Sequence, residues 1–170
     1  MNYRASAIVL AIASGVLAGA VGGCAPYVNI PAQRGDLATH TPNNGTVRHV
    51  MAAALAHVLA QRRTPEAYAV ALPQRASSHT YHRVLEQLPG EPAAHRVGPT
   101  EQPVFSVVGV YVRGAEAQVD VVAPTAEGAS QLTSVYLEAA MDGWWVVRDR
   151  EWSIPIEQAI DLAYPGKTID

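Results

Sequence analysis

The chain has 170 residues, of which 12 are basic and 15 acidic, so its formal net charge is −3. This length allows one globular domain with its own core, and a hydrophobic content of 49% argues against wholesale disorder. No run of basic residues occurs, which excludes nucleic acid as an expected partner. Cys24 is the single cysteine, so neither an intramolecular disulfide nor a cluster of thiolate metal ligands can form.

The first 23 residues have the pattern of a cleavable export signal. Arg4 supplies a positive start, the stretch from Ala5 to Val21 carries no charge, and small residues follow it. The alternative is an uncleaved membrane-spanning anchor, but this apolar stretch is short and rich in Gly and Ala. The sequence therefore predicts an exported protein.

The segment Val21-Gly22-Gly23-Cys24 resembles the lipobox of bacterial lipoproteins. The resemblance implies that a diacylglycerol is linked to the sulfur of Cys24, that the chain is cleaved between Gly23 and Cys24, and that a further acyl chain such as palmitate is added to the new amine. Two or three acyl chains give stable membrane anchoring, whereas one chain binds only marginally. Ala25 follows the cysteine where Asp would favour the inner membrane, so we expect a cell-envelope location, at the outer membrane in a Gram-negative host.

The rest of the chain divides into three predicted parts. Residues 24–45 contain three Pro, two Gly and no periodic apolar pattern, which predicts a lipidated tether. Residues 46–164 are predicted to form a single domain, and residues 165–170 a tail.

Two amphipathic helices with an intervening strand are predicted at the start of this domain. The first helix is expected to have Thr46 as its N-cap and to end at Thr64-Pro65. Residues 67–72 predict a buried strand, and Ser77 or Ser78 is expected to cap a second helix that Pro89-Gly90 ends. The residues at helical spacing are Val47, Val50, Met51, Ala54, Leu55, Val58 and Leu59 in the first helix, and Tyr81, Val84, Leu85 and Leu88 in the second. Residues 89–102 are predicted to form a loop.

From Pro103 onward, apolar residues recur at every second position, which predicts a four-stranded antiparallel meander. The strands are expected at 104–113, 116–123, 130–140 and 144–152, and a short helix is expected near residues 156–163. A two-residue turn at Gly114-Ala115 would pair Arg113 with Glu116. The same register sets Val112, Val110 and Val108 opposite Ala117, Val119 and Val121.

The last hairpin has two possible registers around Asp142-Gly143. A tight two-residue turn would pair Leu137 with Arg148, which would place a charged residue on the same face as the apolar side chains of the strand. A type I turn with Gly143 left-handed shifts the pairing by one residue, so that Leu137 shares a face with Trp145 and Val147. We expect the second register.

The predicted fold class is α+β, with two helices and an intervening strand packed on the four-stranded meander. The order of helix and meander, with Gly and Trp in the last hairpin, resembles the cystatin-like and nuclear-transport-factor-like α+β rolls. The strand between the two helices departs from the usual order of those folds, and fold likeness does not by itself indicate function.

One face of the predicted meander is a candidate interaction face. Aromatic side chains among polar and charged groups are typical of a surface that contacts protein or glycan. The main candidates are Tyr111, Asp120, Tyr136, Trp144 and Arg148. The accompanying residues are Gln118, Ser134, Glu138 and Arg150. The competing interpretation is an ordinary solvated sheet face, with Glu138 and Arg148 as a weak exposed ion pair.

Other chemistry is weakly indicated. His79, His82 and Glu86 lie at helical spacing and could ligate Zn²⁺, but no fourth donor or cleft is indicated, and a solvated helix face is the favoured interpretation. Asp120 and Glu138 are a conceivable acid–base pair, although nothing indicates a pocket for them. We therefore predict no catalytic residue, no metal and no cofactor. His49 and His57 on the first helix are interpreted as surface and boundary residues.

The leading functional hypothesis is a non-catalytic lipoprotein of the cell envelope that contacts another protein or the cell-wall glycan. The alternative is a roll that binds a small ligand or catalyses a reaction in a pocket between the sheet and the first helix.

Overall fold

In the part of the chain that the structure describes, seven strands form one mixed sheet that carries two helices on one face. The computed structural model describes residues 27–32, 39–62, 66–95, 103–125 and 129–153. In chain order, the elements are β1 (Tyr27–Ile30), α1 (Gly45–Gln61), β2 (Ala67–Ala71), α2 (Ser78–Leu85), β3 (Glu91–Ala94), β4 (Val104–Arg113), β5 (Glu116–Pro124), β6 (Ser130–Ala140) and β7 (Gly143–Trp152). The predicted α+β class is confirmed. The predicted export signal, Cys24, the C-terminal helix and the tail lie outside the described residues.

The strand order is β3-β2-β4-β5-β6-β7, and β1 pairs with β4 beyond the end of β2. Strand β2 is parallel to both of its neighbours, whereas β1 is antiparallel to β4. Strands β4 to β7 pair antiparallel in chain order, at the positions that the sequence indicates. A four-stranded meander is nevertheless too narrow a description, because β1, β2 and β3 extend the same sheet.

Helix α1 supplies the centre of the core. Asn44, and not Thr46, is its N-cap, because the Asn44 side chain accepts a hydrogen bond from the backbone N–H of Thr46 at 2.8 Å. The apolar face that the sequence indicates is confirmed, since these side chains are buried: Val47, Val50, Met51, Ala54, Leu55, Val58 and Leu59. They pack against the inward side chains of β4, β5 and β6, and helix α2 adds Val84 to the same cluster.

The second helix begins at its predicted cap. The Ser77 hydroxyl accepts a hydrogen bond from the Thr80 backbone N–H at 3.1 Å. Asn43 joins this cap to the start of α1, because its side-chain oxygen accepts bonds from the Ser77 N–H at 2.8 Å and from the buried Thr80 hydroxyl at 2.7 Å. The two helices are thus connected at their N-terminal ends by one amide side chain.

Two segments that were expected to be irregular are strands. Tyr27–Ile30 lies in the predicted tether, yet it pairs with β4, and Val28 is only 1% exposed. Its other edge bonds to Thr39 through two backbone hydrogen bonds. Glu91–Ala94 lies in the predicted loop and pairs parallel with β2 at the end of the sheet. Pro92 is compatible with this position because an edge strand has one side without ladder bonds.

The first hairpin of the meander follows the predicted register near its turn. Arg113 pairs with Glu116, and Val110 pairs with Val119. Farther from the turn, a bulge shifts the pairing so that Val107, and not Val108, lies opposite Val121. The prediction for Val108 is therefore wrong, since the extra residue in β4 turns Val107 toward the core.

The last hairpin differs from the preferred register at its tip. Ala140 pairs with Gly143 across Met141 and Asp142, and Leu137 therefore lies opposite Val146. A bulge after this pair restores the expected pairing, with Tyr136 opposite Arg148. The expectation that Trp145 and Val147 face the core is wrong, because they are 58% and 52% exposed.

Candidate functional site

The sheet has one face against the helices and one opposite face, which we call the open face. Among the described residues, helix α1 packs on the helix-covered face, against β4, β5, β6 and β7, and not on the open face. Cross-strand pairing places side chains from five strands side by side on the open face. The central row is Asn29, Tyr111, Gln118, Tyr136 and Arg148.

A second row on the open face is organised around Asp120. Its Oδ1 accepts hydrogen bonds from the Ser134 hydroxyl at 2.6 Å and from the Gln118 side-chain amide at 2.9 Å. The indole N–H of Trp152 donates to the same Ser134 oxygen at 3.1 Å. Ser134 is 2% exposed, so this network satisfies a hydroxyl that is out of contact with solvent.

Gly109 makes room for the contact between the two rows. A Cβ atom at this position would lie 3.0 Å from Oδ2 of Asp120 and 3.1 Å from Cε2 of Tyr111. Tyr111 and Asp120 therefore crowd over the backbone of Gly109. Burial, and to a smaller extent the charge of Asp120, raises the pKa of the Tyr111 hydroxyl above its ordinary value.

Arginine side chains stack on aromatic rings at three places on this face. The guanidinium of Arg148 lies 4.1 Å from the centre of the Tyr136 ring, and that of Arg150 lies 3.7 Å from the Trp152 ring. Arg113 lies 5.5 Å from the ring of Tyr27. Such cation–π contacts orient a long side chain that would otherwise be free to move.

The central row lines a groove of about 620 Å³, together with Tyr27 and the charged residues beside it. It crosses β1, β4, β5, β6 and β7 on the open face, and its polar walls carry both signs of charge. The positive groups are Arg113 and Arg148, and the negative groups are Glu116 and Glu138. A groove of this kind offers aromatic faces, hydrogen-bonding groups and charges to an elongated partner.

The structure brings together four of the five main residues that the sequence singled out. Tyr111, Asp120, Tyr136 and Arg148 share the open face, since their pairing partners align across the sheet. Trp144 does not belong to it. It pairs with Ala139 and packs against the hydrophobic core, because the turn at Met141-Asp142 places it on the helix side.

The hypothetical acid–base pair is not assembled. Asp120 pairs with Ser134, whereas Glu138 lies four residues farther along β6, opposite Glu116. At about 3.3 Å per residue this separates the two positions by roughly 13 Å, too far for a shared proton. Asp120 is instead engaged in the hydrogen bonds to Ser134 and Gln118.

The histidine candidates lie away from the groove. His82 and Glu86 approach to 3.4 Å on the exposed face of α2, where Glu86 also bonds Arg83. No group of three metal-ligating side chains occurs in the described part of the chain. His57 on α1 faces β7, where its Nε2 atom lies 3.3 Å from the carboxylate of Asp149. His49 is exposed on α1.

Several residues of the open face were missed by sequence reasoning. Tyr27 and Asn29 were assigned to the tether, although Tyr-Val-Asn-Ile alternates outward and inward residues as a strand does. Four residues are too short a pattern to stand out without knowledge of the partner strand. Trp152 was not singled out and Val147 was expected to face the core, because the orientation of both depends on the bulge in β7.

Comparisons of the chain with protein-family models, with curated proteins and with solved structures found no match. Among the residues described, neither helix has the length and apolar character needed to cross a membrane. The fold and the groove together define an α+β domain with a mixed sheet and one open, aromatic-lined face. Function is therefore inferred from that face and from the N-terminal motif.

Proposed function

We propose that this chain is a lipid-anchored protein of the bacterial cell envelope, and that its exported domain is a non-catalytic module that binds another envelope protein through the groove on the open face. The motif Val21-Gly22-Gly23-Cys24 supports the anchor. In a Gram-negative host, Ala25 after the lipidated residue favours the outer membrane.

The observation that carries the binding role is the row of Tyr111, Tyr136 and Arg148 along the groove. Tyrosine and arginine are enriched where proteins bind each other, because they combine a large apolar surface with a polar end. Arg148 is already stacked on Tyr136, so part of the ordering cost is met before a partner arrives.

The charges of the groove favour a polypeptide over a neutral glycan. Two arginines and two glutamates line its walls, and a partner that carries both signs of charge would pair with each of them. The alternative pocket between the sheet and the first helix has less support. Among the described residues, that space is filled by buried side chains, and the groove lies on the opposite face of the sheet.

The groove is tested by replacing Tyr136 with a photoreactive phenylalanine analogue in growing cells and identifying the cross-linked protein. The purified partner is then titrated with the wild type and with Tyr136→Ala and Arg148→Ala. Each substitution is expected to weaken binding by at least about tenfold, or about 1.4 kcal/mol. Arg83→Ala, on the exposed surface of α2, is the matched control.

Equal affinity of the groove variants and the wild type would reject the groove as the binding site. Cosedimentation with purified cell-wall glycan tests the competing partner. If the wild type bound the glycan and the groove variants did not, the partner would be a glycan and not a protein. Intact-mass measurement of the membrane-extracted protein tests the anchor separately. A mass that begins at Met1, or an unmodified thiol at Cys24, would reject it.

A further inference from the structure

Three of the four large apolar side chains that the described structure leaves exposed lie at one end of the sheet. These three are Tyr27 at 44%, Met141 at 107% and Trp145 at 58% exposure, while Val147, at 52%, lies in the middle of β7. Scattered exposed apolar residues need no explanation, but a group of them at one end indicates a contact surface.

The strand register shows that these residues lie along the same end of the sheet. Tyr27 pairs with Arg113 at the last residue of β4, and Glu116 and Glu138 continue the row to Trp145 on β7. The row therefore has an aromatic ring at each side. Met141 lies at the hairpin tip just beyond it, and the Trp145 indole N–H donates to the Asp142 carboxylate at 2.9 Å. We call this the Tyr27 end.

The position of β1 along the chain determines how far this end can be from the lipid. Only Ala25 and Pro26 separate Cys24 from Tyr27. Three residue steps span at most about 11 Å when fully extended. The polar headgroup layer on each side of a bilayer is itself roughly 6 Å thick, so a lipid on Cys24 leaves the start of β1 in or beside that layer. No long tether is left to lift the domain away.

We propose that the Tyr27 end docks on the membrane surface, with Tyr27, Trp145 and Met141 in the interfacial layer. This inference rests on the lipid anchor of the proposed function. Tyr and Trp suit that layer because their rings are apolar and their O–H or N–H groups remain hydrated. The sheet then stands on the bilayer by one end, and the groove opens close to the membrane.

The charges at this end define what kind of membrane contact it is. Arg113 is the one basic residue of the row, while Glu116, Glu138 and Asp142 are acidic. Electrostatic attraction to anionic lipids is therefore not the driving force. Docking depends on the lipid anchor and on insertion of apolar side chains, and it should occur on zwitterionic bilayers and persist at high salt.

The test uses the lipidated mature protein in phosphatidylcholine vesicles, with lipids whose acyl chains carry bromine as a short-range quencher of Trp fluorescence. Trp145 is one of 3 tryptophans, so bromolipids should remove about one third of the wild-type emission. Trp145→Phe should lose most of this quenching. Trp152→Phe is the matched control and should retain it, because Trp152 lies at the far end of the same strand.

Lipidation is verified by mass in each preparation, and circular dichroism verifies folding. A lipidated, folded protein without quenching, or with equal quenching in Trp145→Phe, would overturn the docking while the anchor remained. Absence of quenching together with a buried-type emission from Trp145 would mean that a protein or a second copy covers this end, and it would also overturn the proposal. A free thiol at Cys24 would overturn both the anchor and the docking.

Discussion

Asp120 is the residue around which the middle of the open face is built. Its carboxylate accepts hydrogen bonds from Ser134 and Gln118, and Trp152 closes the network over the buried Ser134 hydroxyl. Gly109 lies opposite Asp120 and has no side chain. A methyl group at this position would crowd Asp120 and Tyr111. These contacts give the carboxylate a structural role in shaping the groove, which differs from the acid–base role considered from sequence.

The surroundings of Tyr111 predict a pH dependence of stability. Its pKa is raised in the folded state, mainly by burial and then by Asp120, from the ordinary value of 10.0. As the pH rises above about 10, the unfolded chain therefore loses a proton that the folded chain keeps, and the free energy of unfolding falls. Below that pH the contribution of this hydroxyl is fully present.

Tyr111→Phe should make the alkaline loss of stability shallower. Urea unfolding at a series of pH values from about 8 to about 11 measures the free energy of unfolding of both proteins. Curves that stay parallel above pH 10 would contradict a raised pKa of Tyr111 in the folded domain.

At the scale of elements, the β6–β7 hairpin decides which aromatic side chains are available to a partner. Its two-residue tip turns Trp144 and Val146 toward the core, and the bulge after Val146 returns Arg148 to the open face. The inward residues beyond the bulge are Asp149, which contacts His57, and Glu151, which bonds Arg62 at 2.9 Å. The bulge thus places polar residues of β7 at the edge of α1, where an apolar continuation of the strand would be exposed.

Truncation of the two adjacent tryptophans should lower stability by different amounts. Trp144→Ala removes a side chain packed on the core and is expected to lower the free energy of unfolding by about 2–3 kcal/mol. Trp145→Ala removes an exposed ring with one hydrogen bond, and its expected cost is about 0.5 kcal/mol. Urea denaturation of the two variants measures the difference. A larger loss of stability in Trp145→Ala than in Trp144→Ala would contradict this prediction and support the register that places Trp145 in the core.

At the scale of the whole molecule, β1 joins the predicted anchor directly to the sheet. It pairs with the end of β4 that β2 does not reach, and Val28 and Ile30 enter the core next to Val110 and Val112. The domain consequently includes Tyr27–Ile30, which precede residue 46 in the chain. A lipid on Cys24 would therefore act on the rigid sheet with only two residues between them.

A charge in β1 should accordingly unfold more than a local segment. Val28→Asp places a carboxylate at a site that is 1% exposed, and we expect it to cost more than about 3 kcal/mol. Ala32→Asp, at an exposed position just past β1, is the matched control and should cost less than about 0.5 kcal/mol. Thermal unfolding followed by circular dichroism measures both. A Val28→Asp domain as stable as the control would mean that these residues are a tether after all.

Much of the fold and of the candidate site follows from local patterns. The apolar faces of both helices, the buried strand at 67–72 and four strand positions of the meander were accessible because periodicity reports burial directly. The alternation along β4, β5 and β6 also placed Tyr111, Asp120 and Tyr136 on one face before any contact was known. Short strands such as β1 and β3 were not accessible, since four residues carry too little pattern.

The sequence by itself determined the fold class, the core of α1 and most of the open face, because each of these depends on side-chain periodicity within one segment. It also carries the anchor motif at Cys24, which stays a prediction. Three features were decided only by the tertiary structure. Tyr27–Ile30 belongs to the sheet, Trp144 faces inward, and the exposed residues Tyr27, Met141 and Trp145 lie at one end of the sheet. These outcomes depend on strand pairing and on bulges, where a shift of one residue exchanges the two faces of a strand.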